Sequence, residues 1–116
     1  MPSGGSLKDG ATVRTWLHGL TEQWGEAPSD FDGRLETLSR FCQFVGQEPD
    51  ALIAACTREV ESGKRIRIKE RRFYTEKIAE FQESADGDAR AKGRAGNVIR
   101  SFFIHNGIFM QAGVQG

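Results

Sequence analysis

Two histidines, two cysteines and one tyrosine are the whole supply, in 116 residues, of imidazole, thiol and phenol groups. A hydrolytic triad needs a base, usually histidine, beside its nucleophile. His18 stands next to Trp16 and Leu17 in a short helical pattern and reads as a packing or surface residue. His105 falls in the last turn of a helical pattern, where a partly positive imidazole suits the helix dipole without any catalysis. Tyr74 is flanked by Arg71, Arg72 and Lys77; an aromatic on a basic amphipathic helix reads as core or interface. Cys42 and Cys56 sit inside apolar helical patterns, in neither a metal-binding nor a C-x-x-C spacing. They are expected as two buried thiols in a reducing, cytoplasmic compartment. Gly93-Arg-Ala-Gly lacks the preceding strand and the Lys-Ser/Thr ending of a phosphate-binding loop. No catalytic residue, metal ligand or cofactor is therefore assigned. Long apolar runs are missing too. Nothing approaches the roughly 20 residues a membrane-spanning helix needs, and Met1-Pro-Ser-Gly-Gly-Ser has no apolar leader segment.

What is present is an ordinary globular composition with an uneven distribution of charge. A chain of this length makes one domain with one modest core. Sixteen basic and sixteen acidic residues cancel. Residues 1–58 nevertheless hold five basic against eight acidic side chains, and residues 59–116 hold eleven against eight. The segment 63–72 carries Lys64, Arg65, Arg67, Lys69, Arg71 and Arg72 against Glu70 alone, and Lys77 follows. The segment 90–100 adds Arg90, Lys92, Arg94 and Arg100 with no acid. Segregation of this kind can build a basic face on a neutral protein, the electrostatic footprint of a polyanion partner.

Apolar periodicity organises the chain into helices. Residues 1–11 read as a flexible leader. Thr12 is placed as the N-cap of a helix over 12–20 with Val13, Trp16, Leu17 and Leu20 as its stripe, and Trp24 is expected to fold back onto it. Ser29 or Asp30 caps a second helix with Phe31, Leu35, Leu38, Cys42 and Val45 on one face, stopped by Gly46. Pro49-Asp50 opens a third, with Leu52, Ile53, Cys56 and Val60, running to about 62–63. Arg65-Ile-Arg-Ile-Lys alternates with the period of a strand but finds no second run to pair with, so it is assigned to the start of a fourth helix containing Phe73, Tyr74, Ile78 and Phe81. Asp86-Gly-Asp breaks that helix. A fifth runs from 88 or 89 to 105, with Ala95, Val98, Ile99, Phe102 and Phe103 apolar and Asn106-Gly107 as its stop. Residues 108–116 read as a tail or an interdomain linker. Four to five short helices around one core is the expected all-α architecture.

Two stretches carry a family resemblance. Arg34-Leu-Glu-Thr-Leu-Ser-Arg-Phe-Cys-Gln-Phe-Val-Gly-Gln-Glu-Pro-Asp-Ala-Leu-Ile resembles the first helices of the core-binding domain of tyrosine recombinases, the phage-integrase family. Gly96-Asn-Val-Ile-Arg-Ser-Phe-Phe-Ile-His-Asn-Gly-Ile looks like the last helix of the same domain. The resemblance spans about residues 12–108 and implies a SAM-like, orthogonal helical bundle that forms one half of a clamp around DNA. The family's catalytic residues lie in a second domain, so none is carried over. Ser29-Asp-Phe-Asp stands where the family often has Ser/Thr and basic residues, and the loop before the last helix lacks the family's Ser-Pro-x-Thr.

The expectation is thus a DNA-binding domain of an integrase- or recombinase-like protein acting in DNA integration or recombination, without catalysis of its own. Phosphate neutralisation falls to Arg65, Arg67, Lys69, Arg71, Arg72, Lys77, Arg90, Lys92 and Arg94, with Asn97 and Arg100 nearer the bases. Duplex DNA is the expected partner, sister protomers a second, a membrane none; the isolated chain is expected to be a monomer. The alternative is a SAM-like helical protein–protein interaction module, since fold does not fix function. The DNA reading requires the two basic segments to converge in space.

Overall fold

The computed structural model describes residues 10–60 and 63–110, apart from the side chains of Glu59, Val60 and Lys64. Residues 1–9 of the expected leader and 111–116 of the expected tail lie outside the described residues. Five helices make a compact bundle: α1 (Ala11–Trp24), α2 (Phe31–Val45), α3 (Pro49–Cys56), α4 (Ile68–Ser84) and α5 (Ala89–His105). Between α3 and α4 lies an antiparallel hairpin of β1 (Thr57–Val60) and β2 (Gly63–Ile66). The Cα radius of gyration is 13.9 Å, close to the ~13 Å a packed chain of this length takes.

The hairpin corrects the expectation that the Arg65 alternation had no partner. Its partner is Thr57-Arg-Glu-Val, which the i, i+4 spacing of Cys56 and Val60 had drawn into the third helix. α3 instead stops at Cys56, and Thr57 already has extended dihedrals (φ −131°, ψ 157°). Thr57 and Val60 are β-branched and favour the pleated conformation over a helix interior. The register pairs Thr57 with Ile66, Arg58 with Arg65, Glu59 with Lys64 and Val60 with Gly63. An Arg67 N–H donating to Cys56 O at 2.7 Å extends the ladder by one bond.

The helices otherwise follow their apolar spacing. α2 buries Leu35, Leu38, Phe41 and Cys42, and at its end the N–H groups of Gly46 and Gln47 both donate to Cys42 O (2.8 and 3.0 Å). Gly46 has φ +76°, a conformation that costs little only without a Cβ. Pro49 opens α3, where its missing N–H is no loss. Asp88 caps α5 by accepting the Ala91 N–H at 2.9 Å.

α1 is longer than the stripe suggested, and its cap differs. Gly10 holds the cap position and Thr12 lies inside the first turn. The Thr12 N–H donates to Asp50 Oδ1 at 3.0 Å and its hydroxyl donates to the same oxygen, so the cap comes from α3 across the bundle. Trp24 does not fold back onto α1. It is 48% exposed, and the Arg34 guanidinium of α2 sits 5.0 Å from its ring centroid.

The core is aromatic. Trp16 of α1 is fully buried, tilted against Phe31 (5.3 Å between centroids) and edge-on to Phe102 (5.5 Å). Phe102 meets Phe103, Phe103 meets Tyr74 of α4, and Phe41 of α2 meets Phe81 of α4. Aromatic pairs of this geometry add about 0.5–1.5 kcal/mol each beyond the area they bury. The expected tail contributes as well. Ile108 is fully buried and Met110 nearly so, with the Ile108 N–H donating to Phe103 O at 2.9 Å. The folded domain therefore extends past Gly107, because two apolar side chains beyond the α5 stop return to the core.

Two measurements check this packing. Thr12 holds the Asp50 carboxyl below its ordinary 3.8, chiefly through the hydroxyl bond. A carboxyl whose folded value is depressed stabilises above the unfolded value and loses that contribution as pH falls through the folded one. Asp50→Ala is expected to lower stability at neutral pH by about 0.5–2 kcal/mol, the usual cost of a lost cap. Urea titrations should show the gap to wild type closing well below pH 3.8. The buried Cys42 and Cys56 thiols are pushed up to about 12 and about 11 by burial, so they stay protonated. An aromatic disulfide reagent is expected to react slowly with the native protein and rapidly with the urea-unfolded chain; equal rates would contradict the burial.

Candidate nucleic-acid interface

The cations of the first basic segment are placed by the hairpin and the opening turns of α4. Arg58 and Arg65 are directly cross-strand, on one face of the ribbon, and both are exposed. Arg67 follows β2, with its Nε 3.4 Å from Glu70 Oε1. Lys69 and Arg72 are exposed and Arg71 is half-buried. Arg71 and Arg72, together with Thr75 and Phe109, line a cleft of about 220 Å³. Lys77, one turn further along α4, is engaged locally: its Nζ is 3.2 Å from Glu80 Oε1 and 5.4 Å from the Phe73 ring centroid.

The second segment lies elsewhere. α4 and α5 run antiparallel across a four-residue connection, as the pairing of Tyr74 with Phe103 at one end and Glu83 with Lys92 at the other requires. At 1.5 Å per residue, Arg71 and the start of α5 are separated along the helix pair by about 20 Å. Glu76, Glu80 and Glu83 are exposed along the α4 stretch between them. The two segments do not converge into one continuous patch; they form two stations at opposite ends of the α4–α5 pair.

At the second station Arg90 is exposed. Lys92 Nζ donates to Glu83 O at 3.1 Å. Arg94 borders a cleft of about 320 Å³ with Arg34 and Arg40 of α2, and with Asp30 and Asp86. Arg34 and Arg40 are paired with Asp30 (3.0 Å) and Glu36 (2.8 Å), so acid is interleaved with base there. Asn97 is exposed but its Oδ1 accepts from Arg100 Nη1 at 2.9 Å.

Arg100, expected near the bases, is only 8% exposed. Its Nη2 donates to Gln82 Oε1 at 3.0 Å, so its guanidinium is a tie between α5 and α4. The tie needs Gly96, where a Cβ would collide with the Gln82 amide oxygen and stand 3.0 Å from Arg100 Nη1. His105 likewise packs against α1, so tightly that a Cβ on Gly19 would strike its imidazole. Two residues here were missed by the sequence reading. Arg58 became visible only with β1 recognised as a strand. Phe109 was assigned to a tail, yet it is 59% exposed beside Arg71 and Arg72. Among the described residues no cluster of three or more His, Cys, Asp or Glu could hold a metal ion, and no helix is long and apolar enough to cross a membrane.

Arg100→Leu removes a charged donor from Gln82 and Asn97 and is expected to lower stability by about 1–3 kcal/mol. Gly96→Ala, which forces the same flexible amide aside, is expected to break the Gln82–Arg100 bond at a net cost of about 1 kcal/mol, because the gain in helix propensity offsets part of the loss. Chemical unfolding reads both, and an unchanged midpoint in the Arg100 variant would free that residue for an external ligand.

Compared with protein-family models, with curated proteins and with solved structures, the chain matches none of them.

Proposed function

We propose a narrower DNA reading than the one that required both basic segments together, which the separation of the two stations rules out: this domain binds duplex DNA, without chemistry of its own, through the hairpin and the first turns of α4. The observation that carries the reading is the cross-strand pair Arg58 and Arg65 with Arg67, Lys69, Arg71 and Arg72 next in the chain. Like charges directly opposite on a ribbon destabilise it, and a row of phosphates offsets that repulsion while releasing counterions. The station at Arg90 and Arg94 then serves as a second, separate contact. A core-binding domain of the tyrosine-recombinase type, with its SAM-like packing, is the family reading in keeping with this role; its support is the two sequence stretches, since a bundle of five short helices is common to many families.

A specific observation favours a second reading, a helical protein–protein interaction module. Ile68, Phe73, Ile104 and Phe109 are large apolar side chains exposed at 62%, 49%, 44% and 59%, at the end of the molecule where α4 begins and α5 finishes. Exposed apolar groups beside cations suit an acidic, partly apolar protein partner.

Anisotropy titrations of a labelled duplex separate the two. At physiological salt the DNA reading expects a dissociation constant of about 10⁻⁴–10⁻⁶ M, and a log–log salt slope of about −0.9 per neutralised phosphate. Arg58→Ala with Arg65→Ala, or Lys69→Ala with Arg72→Ala, is expected to weaken binding and flatten that slope by about 1–2. Absence of salt-sensitive binding at low ionic strength overturns the reading. Loss confined to Arg90→Ala with Arg94→Ala would move the interface to the other station.

A further inference from the structure

We infer that the cleft between α4 and the segment after α5 holds one unpaired nucleotide, its phosphate on Arg71 and Arg72 and its base stacked on Phe109. The inference deepens the nucleic-acid reading and rests on it for the strand that delivers the nucleotide.

Three features of the cleft converge on this ligand. The first is aromatic presentation. Phe109 is 59% exposed although its chain neighbours, Ile108 and Met110, are 0% and 4% exposed. Two buried anchors hold the backbone on either side, so the ring is presented outward at the cleft. Thr75 fastens the same spot: its Oγ1 lies 2.9 Å from Arg71 O and 3.2 Å from Met110 Sδ. An aromatic held out in this way is a stacking platform, and every base offers a π face to it.

The second feature is charge. Among the described residues neither Arg71 nor Arg72 makes an ion pair; the nearby Glu70 is engaged with Arg67. Two free guanidinium groups at the rim of one cleft suit a phosphate, which they can meet with paired N–H donors. The third is size. At about 220 Å³ the cleft lies below the roughly 300–1,000 Å³ of sites that enclose a drug-sized ligand. It has room for one small group against a wall, not for a duplex or a helix. Bases inside a duplex cannot present a free face to Phe109, and the terminal pair of a blunt end is too wide for the cleft, so the occupant is a nucleotide at a strand end, in an overhang or beside a break in pairing. The shared chemistry, a nucleoside monophosphate unit, has two sources: a free nucleotide and a nucleic-acid strand.

Four probes distinguish them: a free nucleoside monophosphate, a single-stranded tetranucleotide, a blunt duplex, and the same duplex with a four-nucleotide overhang. The overhang is expected to tighten binding over the blunt duplex by about tenfold, the scale of one stacked base. Phe109→Ala should abolish that gain and leave blunt-duplex affinity unchanged, and Phe109→Tyr should retain it. Arg71→Ala with Arg72→Ala should weaken the tetranucleotide most. Binding of the tetranucleotide with Phe109 dependence, but of no blunt duplex, sustains this cleft while the duplex reading fails. Saturable binding of the free nucleotide without preference for the tetranucleotide assigns the cleft to a small molecule and overturns the strand assignment. Equal affinity for blunt and overhanging duplexes, or equal loss of both in Phe109→Ala, overturns the inference.

Discussion

Burial of Trp16 is the constraint on which the bundle turns. Its indole is fully enclosed, so its N–H must find a partner, and it donates to Ser101 Oγ at 3.0 Å. That bond joins α1 to α5, while the ring packs against Phe31 of α2 and Phe102 of α5. One side chain thereby sets the mutual placement of three helices. From Phe102 the contacts pass through Phe103 to Tyr74, which brings α4 to the same core. Such rings are large and rigid, so few orientations pack them densely.

The placement of α4 against α5 decides how the cations are displayed. An antiparallel helix pair puts residues near in sequence at its connection and residues far in sequence at its open end. Arg71 therefore neighbours Phe109, 38 positions away by the numbering, and stands about 20 Å from the cations of α5. The same pairing draws Arg100 inward, where Gln82 and Asn97 receive its donors. A guanidinium so buried is a structural cross-link, since drawing it out to a ligand would break both of its bonds and unpack it from the helix pair. Charge counted along the chain treats Arg72 and Arg100 alike; burial separates them.

Much of the fold was legible in the pattern of residues. α2 was read nearly to its ends because a five-residue apolar repeat and a terminal glycine agreed; Asp30 holds the cap position, but its carboxylate accepts from Arg34 instead of capping the helix. α5 was read equally well from Asp88 and Asn106-Gly107. The hairpin was not, because its strands are four residues each and Cys56 and Val60 also fit a helical spacing. The α1 cap was beyond reach for another reason: its acceptor, Asp50, is 38 residues away from Thr12. Residues 108–110 were misassigned because two isolated apolar side chains after a glycine carry no periodicity.

The sequence by itself determined the class of the protein. Apolar spacing specified helices, and a charge-rich second half supplied cations. Only the tertiary structure decided which cations face outward together, that Arg58 joins Arg65, and that Phe109 stands beside Arg71 and Arg72. The physical reason is that helix formation follows from neighbours within a few residues, whereas a surface is assembled from segments that meet only when the core closes.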